Sequence, residues 1–428
     1  FSAFSPHLLD FLKVLGIEEL FRAHVNLNKR KSPYSSSFLS KLLITQTILG
    51  YDRIETSRIL DLDGIYKQKL ELENYPDPET FRDELNRYNL ENIDQLFIVN
   101  RKILYHLVKL EQPQYINLHF DAKVITVYGD QEEAQVGYNP DKPGRKSYLL
   151  KVCSVEPFGF VLAIRLEPGD AVSTTEFGSF YRQCMDAIPT EHFVVHTVRL
   201  DKGFFSENNI QMLEGDYPFF EIAAKQYKSL KDFIQAIPEE NFDPLYPSAT
   251  IEGASFSFCL DKWEKPRDFV VVRRPIKQKN GQLLLFPQDH QWHYQVICHD
   301  KPELSPREVW EDYNQRAKIE QTIKELDYNY FLTKVPTGNF LANFAHMWHC
   351  VLAHNTVLLF KRYILQGEWA TRSLSTLRKK LFNIPGRLVN RSGKMIMRLI
   401  KGFKEIELLN SILERLGLFH QKLKPKAA

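Results

Sequence analysis

The sequence predicts an α/β fold: a sheet-forming core, flanked by helical regions at both ends and interrupted by an all-β insertion. Three observations predict it. The chain opens with helix-period apolar spacing and helix-start signals, switches near residue 115 to period-two spacing rich in β-branched residues, and returns to helical spacing after residue 305.

Residues 1–112 read as a helical N-terminal region, expected to bind DNA. In "SPHLLDFLKVLGIEELFRAH", Ser5 caps and Pro6 takes the first helical position. "NLNKRKSPYSSS" is a loop, "SSFLSKLLITQTILGY" a second helical stretch, and in "PDPETFRDELNRY" Asp77 caps and Pro78 starts another. Residues 113–230 form the first part of the core. "YINLHFDAKVITVYG" reads as a strand, and "SYLLKVCSVEP" with "FGFVLAIRLEPG" as a hairpin across a Pro/Gly turn. The helix "TTEFGSFYRQCMDAI", the strand "HFVVHTVRLD", the helix "SENNIQMLEGD" and the short strand "FFEIAA" follow. These strands are nearly all apolar, as expected when helices cover both faces of a sheet. Residues 231–298 carry four strand-like runs, "ASFSFCLDKW", "DFVVVRRPI", "GQLLLF" and "QWHYQVICHD", with Asn280-Gly281 as a hairpin signal. Residues 299–365 complete the core with helices, and 366–428 read as a basic helical region.

Composition narrows the class. The 428 residues are 43% hydrophobic, enough for a real core. No apolar run reaches the roughly 18 residues a membrane span needs, so no membrane partner is expected. The first residues lack a basic stretch and a small-residue cleavage site, so no secretory signal is expected. Five cysteines (153, 184, 259, 298, 350) form no CxxC pair, which argues against zinc and disulfides and fits a reducing compartment. The net charge of +3 is uneven: from Lys361 onward sixteen Lys/Arg face four Asp/Glu, a net of +12, which leaves −9 for the rest. A basic tail, with Arg378, Lys379 and Lys380 at its densest point, suggests a polyanion. In the insertion, Arg273, Arg274, Lys277 and Lys279 form a basic hairpin, where a DNA contact and a solvated tip are equally good readings.

Three carboxylates stand out. Asp121 sits mid-strand among apolar neighbours, where an unpaired charge is costly. Asp201 ends a strand, the place where open α/β sheets build sites. Glu320 lies in "YNQRAKIEQTIKEL". On a single helix Arg316 and Glu320 fall about 60° and 20° behind Tyr313, and Lys324 about 20° ahead, so the four share one edge. Each carboxylate alone has an ordinary explanation: a buried hydrogen-bonding residue, a turn cap, an i,i+4 partner of Lys324. Together they form an oxygen-only set that suits Mg²⁺ or Mn²⁺. Two such ions would activate a nucleophile and stabilise a leaving oxygen on phosphate. No small-molecule cofactor is indicated.

The chain resembles bacterial insertion-sequence transposases of the DDE type, of the cut-and-paste kind with a β insertion. "LHFDAKVITVYGDQEEAQVGYN" is similar to their first-aspartate region, "VRLDKGFFSENN" to the second, and "YNQRAKIEQTIKEL" to their Tyr-x2-Arg-x3-Glu signature. The resemblance implies a ribonuclease H-like core with Asp121, Asp201 and Glu320 as catalytic metal ligands. It implies Tyr313, Arg316 and Lys324 as DNA contacts, and terminal inverted repeats and target DNA as partners. It implies a homodimer, since two ends must be joined, and a bacterial cytoplasmic, nucleoid-associated location. In such transposases an insertion tryptophan stacks on a flipped base, a role open to Trp263 or Trp292, although each reads first as a core tryptophan. The signature's final lysine, seven residues after Glu320, is Asp327 here, and Lys324 is expected to serve instead. A nuclease that cuts without joining and a domesticated transposase that only binds DNA remain the alternatives. His346 and His349, three apart on an apolar helix, read as core histidines.

Overall fold

The computed structural model describes residues 2–4, 6–28, 32–247, 250–276, 292–391, 394–399 and 401–423. Ser5, Lys277, Lys279, Asn280-Gly281 and the run "GQLLLF" lie outside the described residues. Five longer helices open the chain: α1 (Pro6–Val14), α2 (Ile17–His24), α3 (Ser36–Leu49), α4 (Pro78–Leu85) and α5 (Leu90–Leu104). Asp77 caps α4 through Glu79 N–H with Pro78 at its start, as the sequence predicts.

The core follows as β1 (Gln114–Thr126), β2 (Lys146–Glu156), β3 (Phe160–Pro168), α6 (Phe177–Asp186), β4 (Phe193–Leu200), α7 (Glu207–Glu214) and β5 (Phe219–Ala223). The sheet order is β3-β2-β1-β4-β5. β2 runs antiparallel to β1 and β3, while β4 and β5 run parallel to β1. That order, with only β2 reversed, is the ribonuclease H-like arrangement. On one face Phe120 of β1 meets Phe177 and Phe180 of α6 edge-on, at 5.3 and 5.8 Å.

The insertion differs from expectation. It opens with a helix, α8 (Lys228–Gln235), before β6 (Glu252–Phe258), β7 (Arg267–Pro275) and β8 (Trp292–His299). These strands form an antiparallel meander, and β8 pairs with β5 through Ile297 and Ala223. The insertion therefore prolongs the core sheet instead of forming a separate layer. The pairing covers the edge that β5 would otherwise leave open.

Three helices complete the core: α9 (Pro306–Asn314), α10 (Ala317–Tyr330) and α11 (Phe340–Tyr363). Ser305 and Glu308 form a reciprocal capping box at the start of α9, with Pro306 in its first turn. The apolar α11 is buried along most of its length between the N-terminal helices and the sheet. Phe97 packs against Trp348, Phe11 against Phe360, and the Asn355 carboxamide accepts from Val161 N–H of β3 at 2.9 Å. Burial pushes the His346 and His349 imidazoles down to about 4; His349 donates to the Ala345 carbonyl within the core, and His346 stands half-buried one turn before it.

The C-terminal region is not wholly helical. β9 (Asn383–Arg391) and β10 (Lys394–Leu399) form a hairpin, β9 pairs with Ser2–Phe4, and α12 (Ile406–Leu423) follows. All five cysteines are free. Among the described residues no helix is long and apolar enough to cross a membrane.

Candidate active site

The site is built where β1 outlasts its parallel neighbour. Phe120 pairs with Leu200, the last residue of β4. Asp121 therefore stands just beyond the end of β4, and Asp201 leaves that strand beside it. Asp201 also caps the turn that follows, accepting from Gly203 N–H at 3.4 Å. The capping role and the site role coexist on one carboxylate.

Arg316 joins the three carboxylates. Its guanidinium lies 3.1 Å from Asp121 and 3.8 Å from Asp201, and it hydrogen-bonds Glu320. Glu320 thus turns to the arginine four residues before it, and the alternative surface pair with Lys324 is not found among the described residues. Burial pushes the Asp121 carboxyl up to about 6. Arg316 works against that rise, and the nearby Asp201 and Glu320 add to it. One guanidinium does not neutralise three carboxylates, so the cluster is short of two positive charges. Among the described residues no three acidic, His or Cys side chains already stand in an ion-holding arrangement. The donor set nonetheless fits hard divalent cations: oxygen ligands only, and carboxylate charge in excess of the one guanidinium.

The stripe on a single helix is corrected. Residues 306–330 form two helices, α9 and α10, joined at Gln315 and Arg316. Gln315 and Arg316 N–H donate to the carbonyls three residues back, at 3.1 and 2.9 Å, which tightens the turn. Tyr313 ends on the inner side of this joint. It is 4% exposed, and its hydroxyl donates to the Leu200 carbonyl at 3.2 Å. It offers no face to a nucleotide; it fixes the end of β4 from which Asp201 projects. Glu320 and the exposed Lys324 line the open side of α10, and Arg316 lies behind them with its side chain only 12% exposed.

The carboxylates open onto a cleft of about 1210 Å³. Lys123, Lys202, Lys225, Lys231 and Lys324 line it, with Tyr138 and Trp292. The first four lysines escaped the sequence reading, although Lys123 lies two residues past Asp121 and a strand's period of two puts both on one face. Trp292 stacks over Arg273, 4.4 Å from ring centre to guanidinium. Trp263 instead packs on Phe205 and Arg267 and stands outside this cleft.

Two expected DNA contacts are internal. Arg273 is 4% exposed and bound to Glu239 and Glu252, so it anchors the insertion. Arg378 donates to the Thr47 and Ile48 carbonyls at 2.8 Å and to the Asn329 carbonyl, tying the end of α3 to the C-terminal region. Burial pushes it down to about 10. Arg274, Lys379 and Lys380 remain at the surface.

The chain matches the family model described as transposase DDE domain, group 1, over residues 8–421. Among solved structures it is similar to the piggyBac transposase in a synaptic complex with hairpin DNA, at 13% identity and a TM-score of 0.42, over 88% of this chain and 80% of that one. It is also similar to the Mos1 transposase in a paired-end complex with the left transposon end, at 14% identity and a TM-score of 0.18, over 46% and 60%. No curated protein matches. With the family model spanning nearly its whole length, the chain belongs to the group 1 DDE-domain transposases, enzymes that act on DNA.

Proposed function

We propose that Asp121, Asp201 and Glu320 are the catalytic ligands of two Mg²⁺ or Mn²⁺ ions, and that this site cuts DNA at transposon ends and joins them to a target. The observation that carries the reading is the convergence of three carboxylates, from β1, the end of β4 and α10, on the single Arg316 guanidinium. When bound, the ions would supply the positive charge that activates a nucleophile and stabilises a leaving oxygen. The chain's own groups prepare that chemistry. Arg316 offsets carboxylate repulsion until cations arrive. The cleft lysines draw the phosphodiester backbone toward the carboxylates. Trp292, braced on Arg273, offers an aromatic face for an unstacked base. The reaction is phosphoryl transfer: water attacks a phosphodiester at the transposon end and releases a 3′-hydroxyl, which then attacks a phosphodiester of the target and displaces its 3′ oxygen. Terminal inverted repeats are the bound ends, a homodimer pairs them, and the protein works in the bacterial cytoplasm on nucleoid DNA.

The test is to incubate the full chain with its own terminal-repeat duplex and Mg²⁺. Glu320→Gln keeps the side-chain shape and removes its charge. It should bind the duplex yet cut at least about 1000-fold more slowly, a loss of several kcal/mol of transition-state stabilisation. Cutting by Glu320→Gln at the wild-type rate would sink the reading. A pre-cut end with a free 3′-hydroxyl separates a joining enzyme from a nuclease, because only the former yields joined product.

A further inference from the structure

Lys123 stands on β1 two residues after Asp121, on the same face of the strand. At this point β4 has ended, so β1 is paired on one side only, with Leu150 of β2 opposite Lys123. The side chain lines the cleft with the three carboxylates. Its ammonium donates to Asp327 Oδ2 at 2.6 Å, and the other carboxylate oxygen of Asp327 accepts from the Thr333 hydroxyl. Asp327 lies on α10 seven residues, or about two turns, beyond Glu320 and so on the same edge of the helix. A carboxylate braced by a threonine thus holds a lysine from the neighbouring strand at a fixed place in the cleft. An ammonium has three N–H donors, and Asp327 takes one. The Lys123 side chain is 26% exposed, enough for the remaining donors to reach a ligand. Lys324, the lysine that sequence favoured, is exposed on a helix surface and has no such brace among the described residues.

We propose that Lys123 contacts a DNA backbone phosphate beside the cleavage site, and that Asp327 is its positioning residue. The proposal rests on the carboxylate site described above. The bland role for the same pair is a strap between β1 and α10, and the two roles separate experimentally. Lys123→Ala and Asp327→Asn both break the strap, but only the first removes the cation.

The experiment uses the full chain, its terminal-repeat duplex and Mg²⁺, and reads the cleavage rate, duplex affinity against salt, and melting temperature. Lys123→Ala should cut about 10- to 100-fold more slowly and lower the salt slope by about one ion. Asp327→Asn should lose less, about 5-fold, with the salt slope unchanged, because the ammonium is still present but is no longer held in place. Lys123→Ala combined with Asp327→Lys, which returns an ammonium to the same space from the helix, should recover at least about half of the lost rate on a logarithmic scale. Equal losses in Lys123→Ala and Asp327→Asn with no recovery in the double variant would overturn the proposal in favour of a strap. So would wild-type cutting by Lys123→Ala. Either result leaves the carboxylate reading intact as long as Glu320→Gln stays inactive, whereas wild type that cuts nothing overturns both.

Discussion

Two charged clusters sit side by side on the same two strands, and they are built to opposite rules. The inner one contains His119 of β1 and Arg199 of β4, paired across the sheet. Arg199 meets Glu156, Glu221 and Asp312, Lys301 meets Glu221 and Asp312, and Lys318 closes on Glu156. Three cations face three carboxylates. Two residues further along each strand lie Asp121 and Asp201, where one cation faces three carboxylates. The heart of the inner cluster is sealed, with Arg199 2% and Glu221 0% exposed, and Lys318 stands at its open rim. The outer one opens onto the cleft. Buried ions survive when paired and hydrogen-bonded, so the inner cluster reads as a foundation that fixes α9 against β4 and β5. The outer cluster keeps an unmet demand for positive charge, and that demand is what a catalytic site can use.

The largest expected effect breaks the foundation. Arg199→Met removes one guanidinium and leaves its carboxylate partners without that cation in the interior. Breaking a buried ionic network in this way costs about 3–5 kcal/mol, so the denaturant midpoint should fall sharply. An unchanged midpoint would mean that the inner cluster is not structural, and the contrast between the two clusters would collapse.

The second effect distinguishes the clusters by their response to cations and pH. A ligand at about 100 times its dissociation constant stabilises the folded state by about 2.7 kcal/mol. Mn²⁺ should therefore raise the melting temperature of wild type at pH 7.5, and do so much less for Asp121→Asn. The sign with pH follows from the Asp121 carboxyl, which titrates near 6 when folded against a usual 3.8. Between these values the folded protein holds the extra proton, so without metal this group's contribution to stability falls as pH rises from about 4 to about 6, then levels. Mn²⁺ needs the carboxylate, so its stabilising shift should appear as pH rises through about 6 and be small at pH 5. A shift of equal size at pH 5 and 7.5 would place the cation elsewhere.

Much of this was legible in the sequence because strands and acids announce themselves locally. The five core strands follow from period-two and apolar runs, and a charge such as Asp121 in an apolar strand demands an explanation. What depends on partners far along the chain was hidden. No local pattern says that β8 pairs with β5 and makes the insertion part of the core sheet. The hairpin of β9 and β10 was missed although Ser392-Gly393 separates its two runs, because the basic count drew the reading toward helix. Counting charges cannot see burial, which is why Arg273 and Arg378 passed as DNA contacts. A helical wheel assumes one unbroken helix, so the tight turn at Gln315 and Arg316 moved Tyr313 indoors. Lys123 was within reach of period-two reasoning, but a signature that places lysine on the helix directed attention to Lys324.

The smallest effect is at the rim between the clusters. Lys318 lies on α10 two residues from both Arg316 and Glu320, yet it belongs to the inner network through Glu156. On a helix wheel it falls about 160° from Glu320, which suits a residue that does not serve the cleft. Its side chain is 55% exposed, so solvent screens the pair and the expected cost of Lys318→Ala is at most about 1 kcal/mol of stability. The cleavage rate should stay within about twofold of wild type, because the three carboxylates and Arg316 are untouched. Gln315→Ala, at an exposed position beside the same turn, is the matched control and should be silent in both measurements. If Lys318→Ala slowed cleavage as much as Glu320→Gln while the melting temperature held, the inner network would be supplying charge to the reaction. The boundary between foundation and site would then have to be redrawn to include Glu156.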